Sequence, residues 1–60
     1  MSDREVLLKE IEETRILMKL AYDKISQSIE NELVESAVLE LRSLEIKHAY
    51  LIKKLRETEK

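Results

Sequence analysis

The fold is decided by residues 33–55, which read LVESAVLELRSLEIKHAYLIKKL. Apolar residues recur in this stretch at alternating steps of three and four, the spacing of the a and d positions of a heptad repeat. A histidine takes one of the positions. The stripe consists of Val34, Ala37, Leu41, Leu44, His48, Leu51 and Leu55. This spacing predicts a helix that packs along one side against a second helix.

The upstream half of the chain carries a second stripe with the same spacing, interrupted by an arginine and widened on one side by Leu7 and Ala21. Its members are Leu8, Ile11, Arg15, Met18, Tyr22, Ile25 and Ile29. Before it, Ser2-Asp3-Arg4-Glu5 fits a capping box, in which the Ser2 hydroxyl accepts from the Glu5 amide and the Glu5 carboxylate from the Ser2 amide. The first half of the chain is therefore predicted to be a helix.

The link between the stripes contains neither glycine nor proline, so one continuous rod is the alternative to a hairpin. The first stripe does not continue, because its next positions are Glu32 and Ser36. Residues 26–28 and Asn31 also form the weakest helical stretch, since their side chains compete for backbone hydrogen bonds. A turn between the stripes is therefore favoured.

The predicted fold is all-α, an antiparallel and coiled-coil-like two-helix hairpin in a single domain, residues 1–60. Helix 1 is expected over about residues 3–28, the turn over about 29–31 and helix 2 over about 32–57. Folding back at this turn pairs residues whose numbers add to 62 or 63.

In that register the two polar interruptions, Arg15 and His48, form one polar layer of the core. The aliphatic stem of Arg15 is expected to pack in the stripe, and its guanidinium is expected to lie at the edge and to reach Glu12 or Glu45. The same-face neighbours of His48 are Leu44, Glu45, Leu51 and Ile52, which make no metal-binding or catalytic set. We expect the layer to set the helix register, and we predict no catalytic residue, no metal site and no cofactor.

Composition limits what so short a chain does. Sixty residues without cysteine are marginal alone, and self-association is the usual remedy. A net charge of −2 argues against a general nucleic-acid binder, and no run approaches the ~20 apolar residues of a membrane span. The acidic start, residues 1–5, lacks a signal-peptide hydrophobic region, so a cytoplasmic location is expected.

Apolar residues also lie away from the two stripes, and seven of them are aligned along the helices: Val6, Ile16, Leu17, Leu20, Leu39, Ile46 and Tyr50. A monomeric hairpin leaves all of them in water, where aligned apolar stripes are uncommon. We predict that they form an interface with a second hairpin, in a homodimeric four-helix bundle, or with another protein partner. A loosely packed monomer with a larger apolar face is the alternative.

Several segments carry a resemblance to a known family: Leu8–Glu12, Ala21–Tyr22, Glu32–Ala37, Leu39–Leu41, Glu45 and Ala49–Lys54. Together they resemble the YaaL-like family of short bacterial proteins of unknown function, with Glu30-Asn31 in place of the family's aspartate–proline turn. The resemblance implies a small cytoplasmic protein of Gram-positive, often spore-forming bacteria, and it implies no catalytic residue.

A second likeness is to the Spo0E-like aspartyl-phosphate phosphatases, which are also helical hairpins. Their Ser-Gln-x-Leu-Asp signature corresponds to Ser36-Ala37-Val38-Leu39-Glu40, which lacks the glutamine and the aspartate. The leading function is thus a non-enzymatic interaction or regulatory module. The alternatives are a phosphatase of a response-regulator phospho-aspartate and an RNA-binding dimeric hairpin.

Overall fold

Two helices and a short turn make up the computed structural model, which describes residues 2–59. Helix α1 spans Asp3–Gln27 and helix α2 spans Asn31–Thr58. The helices pack against each other in an antiparallel hairpin of 45 × 16 × 12 Å. The all-α hairpin predicted from the sequence is confirmed, and the terminal residues of the predicted domain, Met1 and Lys60, lie outside the described residues.

Local hydrogen bonds set the ends of α1 and the turn. The Ser2 hydroxyl accepts from the Glu5 amide at 3.2 Å and donates to the Glu5 carboxylate, so the carboxylate bonds the hydroxyl rather than the expected Ser2 amide. Helix α1 ends one residue before the expected Ser28, which is extended, as is Glu30. The Ser28 hydroxyl accepts from the Glu30 amide at 3.3 Å. No described residue has a positive φ, so the turn needs no glycine.

The stripe of α2 forms its side of the core as predicted, since all seven positions are buried or half-buried. In α1 the predicted Ile11, Met18 and Ile25 are also buried or half-buried. Within residues 2–59 the buried apolar residues are Ile11, Ala21, Ala37 and Leu51. The hydrophobic core within one hairpin is therefore small.

The other half of the predicted α1 stripe is wrong, because Leu8, Arg15, Tyr22 and Ile29 are exposed. Their places in the core are taken by the residues one position earlier: Leu7, Thr14, Ala21 and Ser28. Three of these four are small, which lets the helices approach closely. Thr14 satisfies its buried hydroxyl by donating to the Glu10 carbonyl at 2.7 Å. Burying the Arg15 guanidinium instead would carry a large desolvation cost.

Two ion pairs across the helices report the register. Arg4 pairs with Glu59 at 3.4 Å, and Lys24 pairs with Glu40 at 3.8 Å. Their residue numbers add to 63 and 64, within two of the expected values. Because all four side chains are largely exposed, these pairs contribute to orientation more than to stability.

Candidate interaction surfaces

The observed burial assigns heptad letters to both helices and divides the hairpin into two sides. The a positions include Ile11 and Met18 in α1 and Leu41 and His48 in α2. The d positions include Thr14, Ala21, Leu44 and Leu51. Around a heptad helix, e lies beside a, and g lies beside d. One side of the hairpin therefore presents the e positions of both helices, and the opposite side presents the g positions.

We call the first side the e surface and define it by the e positions between residues 8 and 54 that lie within the helices: Leu8, Arg15, Tyr22, Val38, Glu45 and Ile52. The apolar residues Leu8, Tyr22 and Val38 are each at least 40% exposed, and Ile52 is half-buried. Four of its six members are apolar although the surface faces water.

An open groove on the e surface, of about 330 Å³, shows that residues of the two helices share this side. It is lined by Arg15, Met18, Lys19, Tyr22 and His48. Arg15 and His48 thus come together, but the predicted polar core layer is corrected. The Arg15 side chain is 65% exposed and bonds Glu12 at 3.2 Å, while Thr14 takes its place inside.

Members of the e surface lie opposite each other in pairs. Lys24 and Glu40 both occupy g positions, and their numbers add to 64. In an antiparallel pair of heptad helices, a sum of 64 for facing g residues fixes the other pairs. The residue numbers of facing core residues then add to about 62, and those of facing e residues add to about 60. The resulting e pairs are Leu8 with Ile52, Arg15 with Glu45, and Tyr22 with Val38. A pair of opposite charges therefore lies between two apolar pairs.

We call the opposite side the g surface and define it by the g positions over the same residues: Glu10, Leu17, Lys24, Leu33, Glu40, Lys47 and Lys54. Five of these seven are charged. Beside them, Lys54 lies over the ring of Tyr50, with its Nζ 5.8 Å from the ring centroid. The g surface is therefore mostly charged, and its two apolar members, Leu17 and Leu33, are 43% and 56% exposed.

The seven residues predicted as an interface are all exposed, from 41% for Val6 to 69% for Leu39. The structure places four of the seven on the g side and the other three elsewhere. Val6 and Tyr50 line one groove at the g side, where Leu17 and Leu20 also lie by their heptad positions. Ile16, Leu39 and Ile46 occupy f positions, which point away from the partner helix. Because α1 and α2 face each other, Ile16 points in the direction opposite to Leu39 and Ile46.

Sequence reasoning missed the e surface because it placed Leu8 and Tyr22 in the core and left Val38 and Ile52 unassigned. A signal was present in the spacing. Leu8, Arg15 and Tyr22 recur every seven residues, as do Val38, Glu45 and Ile52. Columns of this kind beside an a/d stripe are typical of helices that contact more than one neighbour.

Ligand sites and relatives add no further assignment. Among residues 2–59 no three His, Cys, Asp or Glu side chains form a group that could hold a metal ion. In the same part of the chain neither helix has the length and apolar content of a membrane span. Comparison with protein-family models, with curated proteins and with solved structures finds no match.

Proposed function

We propose that this protein is a non-enzymatic protein–protein interaction module that acts as a homo-oligomer, in its simplest form a homodimer. The observation that carries the proposal is the amount of exposed surface. The hairpin exposes 4991 Å², whereas a globular monomer of 7.1 kDa is expected to expose about 4,100 Å². The excess of about 900 Å² is close to the ~800 Å² that each partner buries in a standard interface.

The small core points the same way. Of the four apolar residues that are buried in the described part of the chain, two have large side chains, Ile11 and Leu51. Burial of a Leu or Ile contributes about 1.5–3 kcal/mol, so covering several exposed ones in an interface adds substantially to the stabilisation that the core provides. A second hairpin is the simplest partner that could bury these residues, because two copies related by a two-fold axis bury the same patch on both chains.

The surroundings of the single histidine suit an interface between two chains better than a catalytic site. His48 shares its groove with two cationic side chains, a thioether and a phenol. No carboxylate lines that groove. His48 also lines a second groove that includes Glu57, but the Glu57 carboxylate pairs with Lys54 and does not orient the imidazole as a general base would require. The resemblance to the YaaL-like family is compatible with the same proposal, since that family has no known function and the resemblance transfers no catalytic residue to this chain.

The test is the mass of the protein in solution, measured by sedimentation equilibrium from micromolar to millimolar concentration. The proposal predicts a species of about 14 kDa, twice the 7.1 kDa chain, with dissociation on dilution. Circular dichroism of the same samples reports the helix content. A helical monomer of 7.1 kDa over the whole concentration range contradicts the proposal.

A further inference from the structure

We infer that the e surface is the dimer interface and that its occupant is a second copy of the chain, with α1 of each copy packed on α2 of the other. The inference rests on the proposed function and deepens it, because it specifies the side of the hairpin, the orientation of the two copies and the residues that meet.

The composition of the two sides selects the e surface. Helices of a four-helix bundle bury the a and d positions together with either e or g. Using g would bury the charged residues Glu10, Lys24, Glu40, Lys47 and Lys54. Using e buries four apolar side chains and one pair of opposite charges. Interface centres are depleted in charged residues, so the e surface is the side that fits.

The charges at the centre of the e surface are available to a partner. Among the described residues, Arg15 bonds Glu12 alone, in an exposed contact within its own helix. Glu45 is exposed and, within residues 2–59, takes part in no ion pair or side-chain hydrogen bond. A facing copy therefore finds one cation and one anion side by side, between two apolar pairs.

Two-fold symmetry allows two ways of placing one e surface on another. In the first way, the two-fold axis runs perpendicular to the helices through the central charged pair, and α1 of one copy lies on α1 of the other. Arg15 then faces the partner's Arg15, and Glu45 faces the partner's Glu45. With the axis parallel to the helices, α1 lies on α2, and Arg15 faces the partner's Glu45 twice. Like charges facing each other across an interface are costly, and opposite charges fix the orientation. The charges therefore select the parallel axis.

The same orientation pairs the apolar residues. Leu8 lies over the partner's Ile52, and Tyr22 lies over the partner's Val38. Each copy thus covers a leucine or an aromatic ring of the other with a β-branched side chain. Side chains of different shape that interdigitate across facing positions pack well.

Charge reversal tests whether the central pair acts between chains. In the Arg15→Glu variant both residues of the pair, 15 and 45, are negative, and in the Glu45→Arg variant both are positive. Each variant alone is expected to dissociate at a concentration at least about tenfold above that of the native dimer, which corresponds to about 1.4 kcal/mol. An equimolar mixture of the two is expected to regain a dimer of about 14 kDa, because each chain then faces the opposite charge although its internal repulsion remains.

The mixture makes the test independent of folding. Dimers from the mixture but not from the separate variants can arise only from contacts between chains. If only the double variant Arg15→Glu with Glu45→Arg regains the dimer, while the mixture does not, the pair acts within one chain and the inference fails. Native-like dimers of both single variants also overturn it.

A matched pair of leucine variants separates this inference from the proposed function. Leu8 on the e surface and Leu17 on the g surface are 40% and 43% exposed. Leu8→Glu is expected to abolish the dimer, and Leu17→Glu is expected to leave it intact. If Leu17→Glu or Ile46→Glu abolishes it while Leu8→Glu does not, the e surface is excluded but self-association stands. A native protein that never associates overturns both.

Cross-linking determines the orientation, because the chain contains no cysteine that would interfere. A mixture of Leu8→Cys and Ile52→Cys chains is expected to give a heterodimer with a short bismaleimide. A mixture of Leu8→Cys and Tyr22→Cys is expected to give none, because the two positions are then about 21 Å apart along the bundle. The reverse result would establish the axis perpendicular to the helices.

Discussion

Replacing Leu51 with alanine is expected to cost about 2–5 kcal/mol of unfolding free energy. Leu51 is 3% exposed and lies at a d position of α2. The three carbons removed account for about 2.4 kcal/mol at ~0.8 kcal/mol per methylene, and the cavity adds the remainder. At ordinary stabilities per residue, a chain of 60 residues has only about 3–9 kcal/mol in total. The substitution therefore removes a large part of the stability.

The matched control is Leu39→Ala, the same change in the same helix at a residue that is 69% exposed. In the dimer described above Leu39 stays in water, so its loss is expected to change stability by less than about 0.5 kcal/mol. Urea unfolding followed by circular dichroism, at one fixed protein concentration, measures both variants. If Leu39→Ala costs as much as Leu51→Ala, then Leu39 is covered and the assignment of buried and free faces is wrong.

Further predictions address the helix cap, the packing of α1, the ion pairs and the alternative function. Ser2→Ala removes the N-cap acceptor and should lower the unfolding free energy by about 1 kcal/mol in the same assay. Ala21→Leu overfills a fully buried layer and should cost about 1–3 kcal/mol, whereas a cost near zero would contradict the observed α1 packing. Lys24→Glu should cost less than about 1 kcal/mol, and the cost should shrink in high salt. Adding the protein to a phosphorylated response regulator should leave its dephosphorylation rate unchanged, and acceleration would support the phosphatase alternative.

The α2 side of the core was predictable because one stripe of heptad spacing runs along the whole helix. Between its apolar positions the chain places charged residues such as Glu40, Arg42 and Glu45, so only one register buries the leucines of the stripe together. The capping serine and the position of the turn were similarly predictable from local chemistry. These features depend on residues that lie close together in sequence.

The α1 side was only half predictable, because periodicity does not specify from which direction a partner approaches. Ile11, Met18 and Ile25 fit two stripes equally well, one completed by Leu8, Arg15 and Tyr22 and the other by Leu7, Thr14 and Ala21. The structure selects the second stripe, whose small residues permit close contact of the helices. The choice depends on side-chain size across the interface, which no pattern within one helix contains.

The candidate interface depended on that choice. Moving half of the α1 stripe by one residue turns the buried side of the helix by about 50°, half of the 100° between neighbours. Leu8 and Tyr22 then leave the core and join Val38 and Ile52 on one side. The sequence pattern assigned Leu8 and Tyr22 to the core, so both their exposure and the side that they share with Val38 and Ile52 required the packing of the two helices.

The most direct test of the account is an isotope-filtered nuclear Overhauser experiment on a dimer assembled from labelled and unlabelled chains, which detects contacts between chains only. If the e surfaces pair as inferred, cross-peaks connect the Leu8 methyl groups of one chain with the Ile52 methyl groups of the other, and the Tyr22 ring with Val38 of the other chain. Contacts between chains that instead involve Leu39 and Ile46, or none at all, would contradict the account.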